Sequence, residues 1–299
     1  MQQRIDLSVI IVNYNTAEFL TTCLRSVLTQ SGASCEVCVV DNASADHSVA
    51  MVREQFPQVR LLASPENLGF AKANNLAARE TRGRFIYYLN PDTEVRPGCF
   101  TAILRFMQAN PTIGMAGTRL LFPDNTLQGS VEEHYPGHRH ATDELTGLPG
   151  RIAWLLGASL IARRDVIDQV EGFNEDFFLY GEDVDLSLKV RQAGWKLGFI
   201  PEAEVIHWEG KSERHTLPIE LLRKKLAAEA LFYRLHYTPG SIGRICRANI
   251  RQARWRLLTL PFEQLLAKDK AAATTKLNRY RLRLDFFQAL AADTHPTLP

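Results

Sequence analysis

The chain lacks a run of about 20 apolar residues, which is the length that a membrane-spanning helix needs. Its longest apolar stretch, residues 153–162, is about half of that. The N-terminus is polar and has no extended apolar segment before a small-residue cleavage site, so we predict no signal peptide. These absences favour a cytoplasmic location.

Cysteine is scarce, with five residues in a chain of 299, and an odd number does not suit a full disulfide framework. Cys35 and Cys38 have the spacing of half a zinc site, but no second ligand pair follows at metal spacing. Both lie in an apolar run, so we expect buried thiols there. A reducing compartment is the simplest interpretation.

The sequence also lacks the glycine motifs that bind dinucleotides and phosphates. It contains no G-x-G-x-x-G, and the first apolar run ends in Asn13-Tyr14-Asn15. Gly210-Lys211-Ser212 resembles the end of a P-loop, but Val205 stands where that motif requires its first glycine. A dinucleotide-dependent dehydrogenase and a P-loop enzyme are therefore disfavoured.

The charge is distributed unevenly. Residues 1–209 hold 18 Lys/Arg and 26 Asp/Glu, a balance of −8, whereas residues 210–299 hold 17 and 7, a balance of +10. An acidic body with a basic tail indicates different surroundings for the two parts. We predict a first domain over residues 1–215 and a helical, basic extension over 216–299.

Apolar runs of strand length alternate with segments of helical period in the first part. The predicted strands are residues 7–12, 36–40, 59–62, 85–89 and 113–117, and the predicted helices are 18–30, 70–81 and 97–110. This order indicates an α/β fold with a Rossmann-like, mainly parallel sheet and helices on both faces. Residues 122–150 are rich in glycine and proline and form an irregular excursion.

Polar segments follow three of the predicted strands, at the sheet edge where such folds bind ligands. The first is Asn13-Tyr14-Asn15, and the others begin at Asp41 and Asn90. Asp41 either caps the next helix or accepts hydrogen bonds from a nucleotide. Asp92 either lies in a solvated turn or holds a hard cation such as Mg²⁺ against a diphosphate.

Carboxylates also cluster where an aromatic segment meets a predicted helix over 184–193. Glu182, Asp183 and Asp185 stand within four positions, with Asp183 at or near the N-cap. Such acids can simply cap the helix and complement its dipole. Alternatively, Asp183 is a general base whose pKa is raised by neighbouring carboxylates and apolar walls.

His207 ends a short predicted strand, and Trp208 with a cationic loop follows it. A lone histidine is commonly structural. The alternative is a ligand for a metal or a diphosphate.

Taken together and in order, these segments resemble the family 2 glycosyltransferases of the GT-A fold, closest to bacterial rhamnosyltransferase-like members. The resemblance covers about residues 6–215. It rests on the motifs V-I-I-V-N-Y-N, V-V-D-N-A-S, N-L-G-F-A, L-N-P-D, G-F-N-E and Y-G-E-D-V-D, which begin at residues 9, 39, 67, 89, 172 and 180.

The resemblance assigns roles to residues of this chain. The implied donor-binding residues are Asn13, Asn15, Asp41, Asn67, Lys72, Asn90 and Asp92. The implied metal ligands are Asp92 and His207, for Mg²⁺ or Mn²⁺. Asn90 replaces the first acid of the family's D-x-D motif, which predicts weak metal affinity. Asp183 is the implied base, and Glu182, Asp185 and Trp208 are expected to contact the acceptor or support the base.

The resemblance implies inverting transfer of a hexosyl group from a nucleotide diphosphate sugar to a hydroxyl of a glycan or polyprenyl-linked acceptor, in cell-surface polysaccharide synthesis. The first expectation for the donor is dTDP-rhamnose, with UDP-sugars as the alternative. Two other functions stay open. A nucleotidyltransferase would carry a glycine-rich loop where residues 13–16 lie, and a non-catalytic sugar-nucleotide-binding protein would not need Asp183.

The basic tail has two interpretations. Its later part combines cations with an aromatic ring at Arg244, Arg247, Arg251, Arg254, Trp255 and Arg256. It is either a helical cap with a solvated basic face or a site for an anionic membrane surface, at about 1 kcal/mol per well-placed cation. Peripheral attachment would be to the cytoplasmic face of the inner membrane. No recognition motif supports nucleic-acid binding, so none is expected.

Overall fold

The computed structural model describes residues 5–208, 218–266 and 270–293. The strands are β1 (Leu7–Asn13), β2 (Cys35–Asn42), β3 (Arg60–Ser64), β4 (Phe85–Leu89), β5 (Thr93–Val95), β6 (Ile113–Leu121), β7 (Leu127–Gln128), β8 (Val131–Glu132), β9 (Trp154–Leu155), β10 (Ser159–Arg163) and β11 (Lys196–His207). The helices are α1 (Ala17–Leu28), α2 (Ser48–Gln55), α3 (Phe70–Arg79), α4 (Cys99–Ala109), α5 (Arg164–Gln169), α6 (Glu182–Gln192), α7 (Pro218–His236), α8 (Pro239–Leu266) and α9 (Lys270–Asp293).

The main sheet has the strand order β3-β2-β1-β4-β10-β6-β11-β5, with β7 paired to β6. Strands β3, β2, β1 and β4 are mutually parallel, as are β6 and β11. Strand β10 runs antiparallel to both of its neighbours, and β5 runs antiparallel to β11. The predicted α/β fold with a mainly parallel sheet is confirmed, with β10 as a reversed strand in its middle.

Both faces of the sheet are buried, which explains why its strands are continuously apolar. Along β1, Val9 and Ile11 belong to one hydrophobic cluster, whereas Ile10 and Val12 belong to another. Alternate side chains of a strand point to opposite faces, so the two clusters are the cores on the two sides of the sheet. Helices cover both faces and leave the strand ends free to present polar loops.

The described residues form two compact units. One lies within Met1–Tyr135 and Leu148–Arg214, and the other lies within Pro136–Gly147 and His215–Pro299. The predicted domain boundary near residue 215 stays a prediction.

The second unit is helical in its described part, and α8 packs along α9. The segment 136–147 is tied to these helices by Glu144, whose carboxylate accepts hydrogen bonds from the amide and hydroxyl of Thr238 and from the hydroxyl of Ser241. The Tyr237 hydroxyl donates to the Pro136 carbonyl at 2.7 Å. Part of the irregular excursion therefore belongs to the helical unit.

Two smaller findings concern the exclusions made above. Cys38 is buried, but Cys35 is exposed because it is the first residue of β2, so the expectation of two buried thiols is wrong for Cys35. Among the helices that the structure describes, none is long and apolar enough to cross a membrane.

Candidate active site

The loops after β1 and β2 are joined by a network around Asp41. The register pairs Asn13 with Asp41, and Asn13 Nδ2 donates to Asp41 Oδ2 at 2.9 Å. The Ser44 amide donates to Asp41 Oδ1 at 3.0 Å. The buried carboxylate is therefore oriented by two donors, while each oxygen keeps a lone pair for a ligand. Asp41 does not cap α2, because its partners lie in the loop and on β1.

The β1–α1 loop is held by the same neighbours. The Asn15 backbone has a φ of 55°, and Asn15 both donates its amide to Ser44 Oγ and accepts the Ala45 amide on Oδ1. Asp46 Oδ2 accepts the Ala17 amide at the start of α1. These contacts leave the side chain of Tyr14 exposed beside the loop, at 42% of its surface.

Asn67 shapes the backbone before α3. Asn42 Nδ2 donates to Asn67 Oδ1 at 2.8 Å, and the Gly69 amide donates to the same oxygen at 3.0 Å. Gly69 has a φ of 80°, and a Cβ there would lie 2.7 Å from the Phe178 carbonyl oxygen. The following Phe70 amide donates to that oxygen at 2.7 Å. The contacts of Asn67 thus stabilise the loop, whereas Lys72 is exposed on α3.

Asp92 and His207 meet where β5 pairs with β11. Asp92 Oδ1 lies 3.5 Å from His207 Nε2, and both side chains are buried. His207 Nδ1 lies 3.0 Å from Gln128 Oε1, so a proton on Nδ1 would leave the lone pair of Nε2 directed at Asp92. The Trp208 amide donates to the Asp92 carbonyl at 2.9 Å, and the Trp208 ring packs 6.0 Å from that of Phe19.

The Asp92–His207 pair fits one divalent cation. Two ligands bound side by side to Mg²⁺ at about 2.1 Å are roughly 3 Å apart, which is close to the observed separation of 3.5 Å. Within residues 5–208, 218–266 and 270–293, no group of three or more His, Cys, Asp or Glu side chains could hold a metal. A cation held by these two side chains would keep most of its coordination sphere for other ligands.

Asn90 is two residues before Asp92, and its Oδ1 is buried without a hydrogen-bond partner in the part of the chain that the structure describes. Its backbone is fixed, because the Asn90 amide donates to the Ala158 carbonyl and its own carbonyl accepts the Thr93 hydroxyl. A buried carbonyl oxygen in this state can accept a donor from a ligand.

Asp183 is the second residue of α6, not its N-cap. The helix begins at Glu182, two residues earlier than predicted, because Gly181 precedes it with a φ of 81° that glycine adopts without strain. Asp183 Oδ2 accepts the Gly157 amide at 2.8 Å, and Oδ1 accepts the Val184 amide at 2.9 Å. A Cβ at Gly157 would lie 3.3 Å from Asp183 Oδ2, so a glycine there permits the close approach.

Burial affects both of the neighbouring acids at the start of α6. Burial raises the pKa of Glu182 well above its ordinary value, and the charge of Asp183 raises it further. Burial also raises the pKa of Asp183, but the two amides that donate to its carboxylate oppose that shift. Asp185 is buried one turn before Lys189, whose ammonium donates to the Gly172 carbonyl.

A short chain of contacts joins Asp183 to the Asn90 turn. The Asn90 amide donates to the Ala158 carbonyl, and the adjacent Gly157 amide donates to Asp183. Because β10 is antiparallel to β4, its first residues lie at the edge where β4 ends. The structure thus gathers the Asp41 loop, the Asp92–His207 pair and Asp183 at one edge of the sheet.

Sequence reasoning missed two side chains at this edge. Gln128, the partner of His207, is 79 residues away in the sequence and has no local signal. Phe178 is 55% exposed, although it is an aromatic residue beside the predicted base motif. The preceding Phe177 is buried, and the sequence carries no local signal that distinguishes the two rings.

The raised pKa of Glu182 has a consequence for stability. The folded state keeps the proton of Glu182 above pH 4.3, the approximate value for an unfolded chain, so the free energy of unfolding falls as pH rises through the folded pKa. We expect Glu182→Gln to remove this dependence. The value of Tm at pH 8 minus that at pH 5 should therefore rise by a few degrees relative to the wild type, at about 2–4 °C per kcal/mol. Thermal unfolding of both proteins at the two pH values tests this. An exposed-acid variant, Asp176→Asn, should show the wild-type dependence, and an equal dependence in Glu182→Gln would contradict the assignment.

Comparison with known proteins identifies a family and several relatives. The family model described as "Glycosyl transferase family 2" matches residues 8–170. The N-acetylglucosaminyl-diphospho-decaprenol L-rhamnosyltransferase of Mycobacterium tuberculosis is 28% identical over 236 residues, which are 69% of this chain and 77% of that protein. The O-antigen biosynthesis protein RfbC of Myxococcus xanthus is 27% identical over 233 residues, which are 70% of this chain and 18% of that protein.

Solved structures share the fold at low sequence identity. A mannosyltransferase from Pyrobaculum calidifontis, in complex with GDP-Man and Mn²⁺, superposes with a TM-score of 0.61 at 18% identity and covers 97% of this chain and 88% of its own. TarS residues 1–349 from S. aureus, in complex with UDP-GlcNAc, gives a TM-score of 0.57 at 18% identity and covers 97% and 91%.

Proposed function

The chain belongs to glycosyltransferase family 2, and from this premise we propose that it is an inverting transferase that uses a nucleotide diphosphate sugar. The observation that carries the proposal is the hydrogen-bond path from Asn90 through Ala158 and Gly157 to Asp183. It sets a buried carboxylate beside the turn that carries Asp92. A general base next to a diphosphate site is what a direct displacement requires.

In the proposed reaction, the Asp183 carboxylate takes the proton of an acceptor hydroxyl. That oxygen forms a bond to the anomeric carbon from the side opposite the nucleotide, and the bond between this carbon and the diphosphate oxygen breaks. The electron pair leaves with the diphosphate. The raised pKa of Asp183 makes it a stronger base than an exposed aspartate, and the amides of Gly157 and Val184 fix its orientation.

We propose that Asp92 and His207 hold Mg²⁺ or Mn²⁺, with Gln128 fixing the tautomer of His207. A cation bound there would offset the charge of the departing diphosphate. Asn90 supplies an amide where a second acid would give tighter binding, so the affinity for free metal should be weak. The Mn²⁺ in the Pyrobaculum mannosyltransferase complex supports a divalent metal in this fold.

The donor pocket is proposed at the β1 and β2 loops. Asp41 would accept hydrogen bonds from the base or ribose. Asn13 lines this pocket and orients Asp41, since its Nδ2 donates to Asp41 and to Ser44, and Asn15 holds the loop in place. Asn67 shapes the backbone before α3, which presents Lys72 toward solvent. We propose that Lys72 reaches the diphosphate from this helix.

The acceptor side is proposed near Asp183. Phe178 and Trp208 are exposed aromatic rings on the segments that precede Asp183 and follow His207. Aromatic rings present an apolar face to a sugar while polar groups around them select its orientation. Glu182 and Asp185 would support Asp183 from within α6, since both are buried.

For the substrates, we propose a rhamnosyl donor, with dTDP-rhamnose first and UDP-sugars second, and a glycan or polyprenyl-linked acceptor. The mycobacterial relative, named as a rhamnosyltransferase acting on a decaprenol-linked sugar, supports this choice at 28% identity. A lipid-linked acceptor would bring the enzyme to a membrane, where the balance of +10 over residues 210–299 favours anionic lipid on the cytoplasmic face.

The test combines donor choice with stereochemistry. A thermal-shift panel of dTDP-rhamnose, UDP-sugars and GDP-mannose with Mg²⁺ or Mn²⁺ should single out one donor, since a ligand at 100 times its Kd stabilises by about 2.7 kcal/mol. Transfer from that donor to a polyprenyl-diphosphate sugar, followed by NMR, should give nucleoside diphosphate and a product of opposite anomeric configuration. Retention of configuration would refute the inverting mechanism, and stabilisation by another donor would refute the rhamnosyl assignment.

A further inference from the structure

Helix α8 carries a stripe of three large apolar side chains that face solvent. Trp255, Leu258 and Phe262 are 64%, 68% and 71% exposed. Their spacings of three and four residues place them on one face of the helix. We call these three residues the α8 stripe. A contiguous exposed apolar surface of this kind marks an interaction site more often than scattered single residues do.

The opposite face of α8 is used for packing. Ala253 and Leu260 are buried and are seven residues apart, which places them on one face, turned away from the α8 stripe. Helix α8 packs along α9, whose Leu282 and Phe287 are also buried. The α8 stripe therefore lies on the face of the helix opposite the one that packs within the helical unit.

Exposed arginines lie on the same face of α8, nearer the start of the helix. Arg247 and Arg251 are exposed and precede Trp255 by two turns and one turn, and the exposed Arg254 adjoins it. At 100° per residue, Arg251 and Trp255 lie within about 40° of each other around the axis. The outward face of α8 thus has a cationic first half and an apolar second half.

We propose that the α8 stripe inserts into the interfacial region of an anionic bilayer while Arg247, Arg251 and Arg254 bind lipid phosphates. The inference rests on the membrane contact proposed above and adds to it an apolar anchor. An amphipathic helix with aromatic and leucine side chains beside basic ones binds in this way, and tryptophan prefers this depth. A contact between two copies through the α8 stripe is the rival, but the exposed arginines beside the stripe favour an anionic surface, because such a surface complements their charge.

The experiment uses the full chain and two kinds of vesicle, neutral phosphatidylcholine and the same lipid with phosphatidylglycerol. Sedimentation is measured at low salt and at about 1 M salt, where the Debye length is about 3 Å. We expect the wild type to bind anionic vesicles at low salt and a fraction to stay bound at high salt, because apolar insertion is not screened. Neutral vesicles should bind it at least about tenfold more weakly.

Two variants separate the two halves of the face. The triple change Trp255→Ser, Leu258→Ser and Phe262→Ser should abolish the salt-resistant fraction and retain salt-sensitive binding. The triple change Arg247→Gln, Arg251→Gln and Arg254→Gln should remove the preference for anionic vesicles. Matched controls are Leu127→Ser, at a leucine that is 70% exposed on β7, and Arg53→Gln, Arg82→Gln and Arg105→Gln at exposed arginines. The controls should behave as the wild type.

The outcomes are distinguishable. Complete release of the wild type by salt would refute the insertion and leave the electrostatic contact in place. Failure to bind either vesicle would refute both proposals, and neither result bears on glycosyl transfer to an acceptor in detergent. Sedimentation equilibrium that shows a dimer in the wild type and a monomer in the serine variant would instead assign the α8 stripe to a contact between copies. Circular dichroism of each variant verifies that it is folded.

Discussion

Asp183→Asn is expected to lower the single-turnover rate by about 10²–10⁴ while donor affinity changes little. An asparagine has the same size and one side-chain acceptor, so it can keep the hydrogen bond from Gly157 or that from Val184. It cannot take the proton of the acceptor hydroxyl. The lost hydrogen bond costs about 1 kcal/mol, and removing a buried charge offsets part of that cost, so Tm should fall by only a few degrees.

The measurement is donor affinity and single-turnover rate on the same preparation, with Asp176→Asn as the control. Asp176 is an exposed acid seven residues earlier and should tolerate the change. Turnover within a factor of about three of the wild type would move the base role to Glu182 or Asp185. Loss of the fold together with donor binding would instead give Asp183 a structural role. The pH profile of the single-turnover rate identifies which acid is the base. Its acidic limb should persist in Glu182→Gln and be absent in Asp183→Asn.

Asp92→Ala is expected to abolish transfer almost completely and to remove the effect of metal on donor binding. Without Asp92, His207 is the sole protein ligand left of the proposed pair, and one neutral imidazole is a poor ligand for Mg²⁺. The thermal shift by donor with metal should fall to the shift by donor alone. The fold should persist, because the Asp92 carbonyl still accepts the Trp208 amide.

The control for this change is Glu94→Ala, at a half-buried acid two residues further along on β5. It should keep the metal-dependent shift. Transfer at the wild-type rate by Asp92→Ala in the presence of a chelator would exclude a metal at this position. His207→Gln, measured in the same way, should weaken the shift less than Asp92→Ala, because it removes the neutral ligand and keeps the charged one.

Much of the sheet was predictable because its signals are local. Runs such as Val9–Val12 and Phe85–Leu89 are apolar at every position, which indicates strands buried on both faces, and the structure agrees. Strand β10 escaped prediction as a sheet strand, because its place between β4 and β6 depends on pairings with residues far away in the sequence. Ser159 pairs with Leu89, 70 residues earlier, and Leu160 pairs with Gly117, 43 residues earlier. No local pattern encodes such a pairing.

The candidate site divides in the same way. The residue types at Asp41, Asp92 and Asp183 were readable from their positions after strands or before a helix. The partners of His207 and Asp183 were not, because Gln128 lies on β7, 79 residues from His207, and Gly157 lies 26 residues from Asp183. Gly157 has no side chain, so its role as an amide donor to Asp183 becomes visible once the backbone path is known. Contacts of this kind decide the orientation of each acid, while the sequence pattern indicates the acid itself.

The position of Glu144 affects the order in which the chain can fold as it is synthesised. Its partners Thr238 and Ser241 are translated 94 and 97 residues later. At roughly 5–20 residues per second, about 5–20 s pass between the synthesis of Glu144 and that of these two partners. Residues 136–147 leave the ribosome long before α8 does, so their final conformation cannot form during early synthesis. We expect this segment to be the last part of the excursion to resist protease in a pulse-labelled nascent chain.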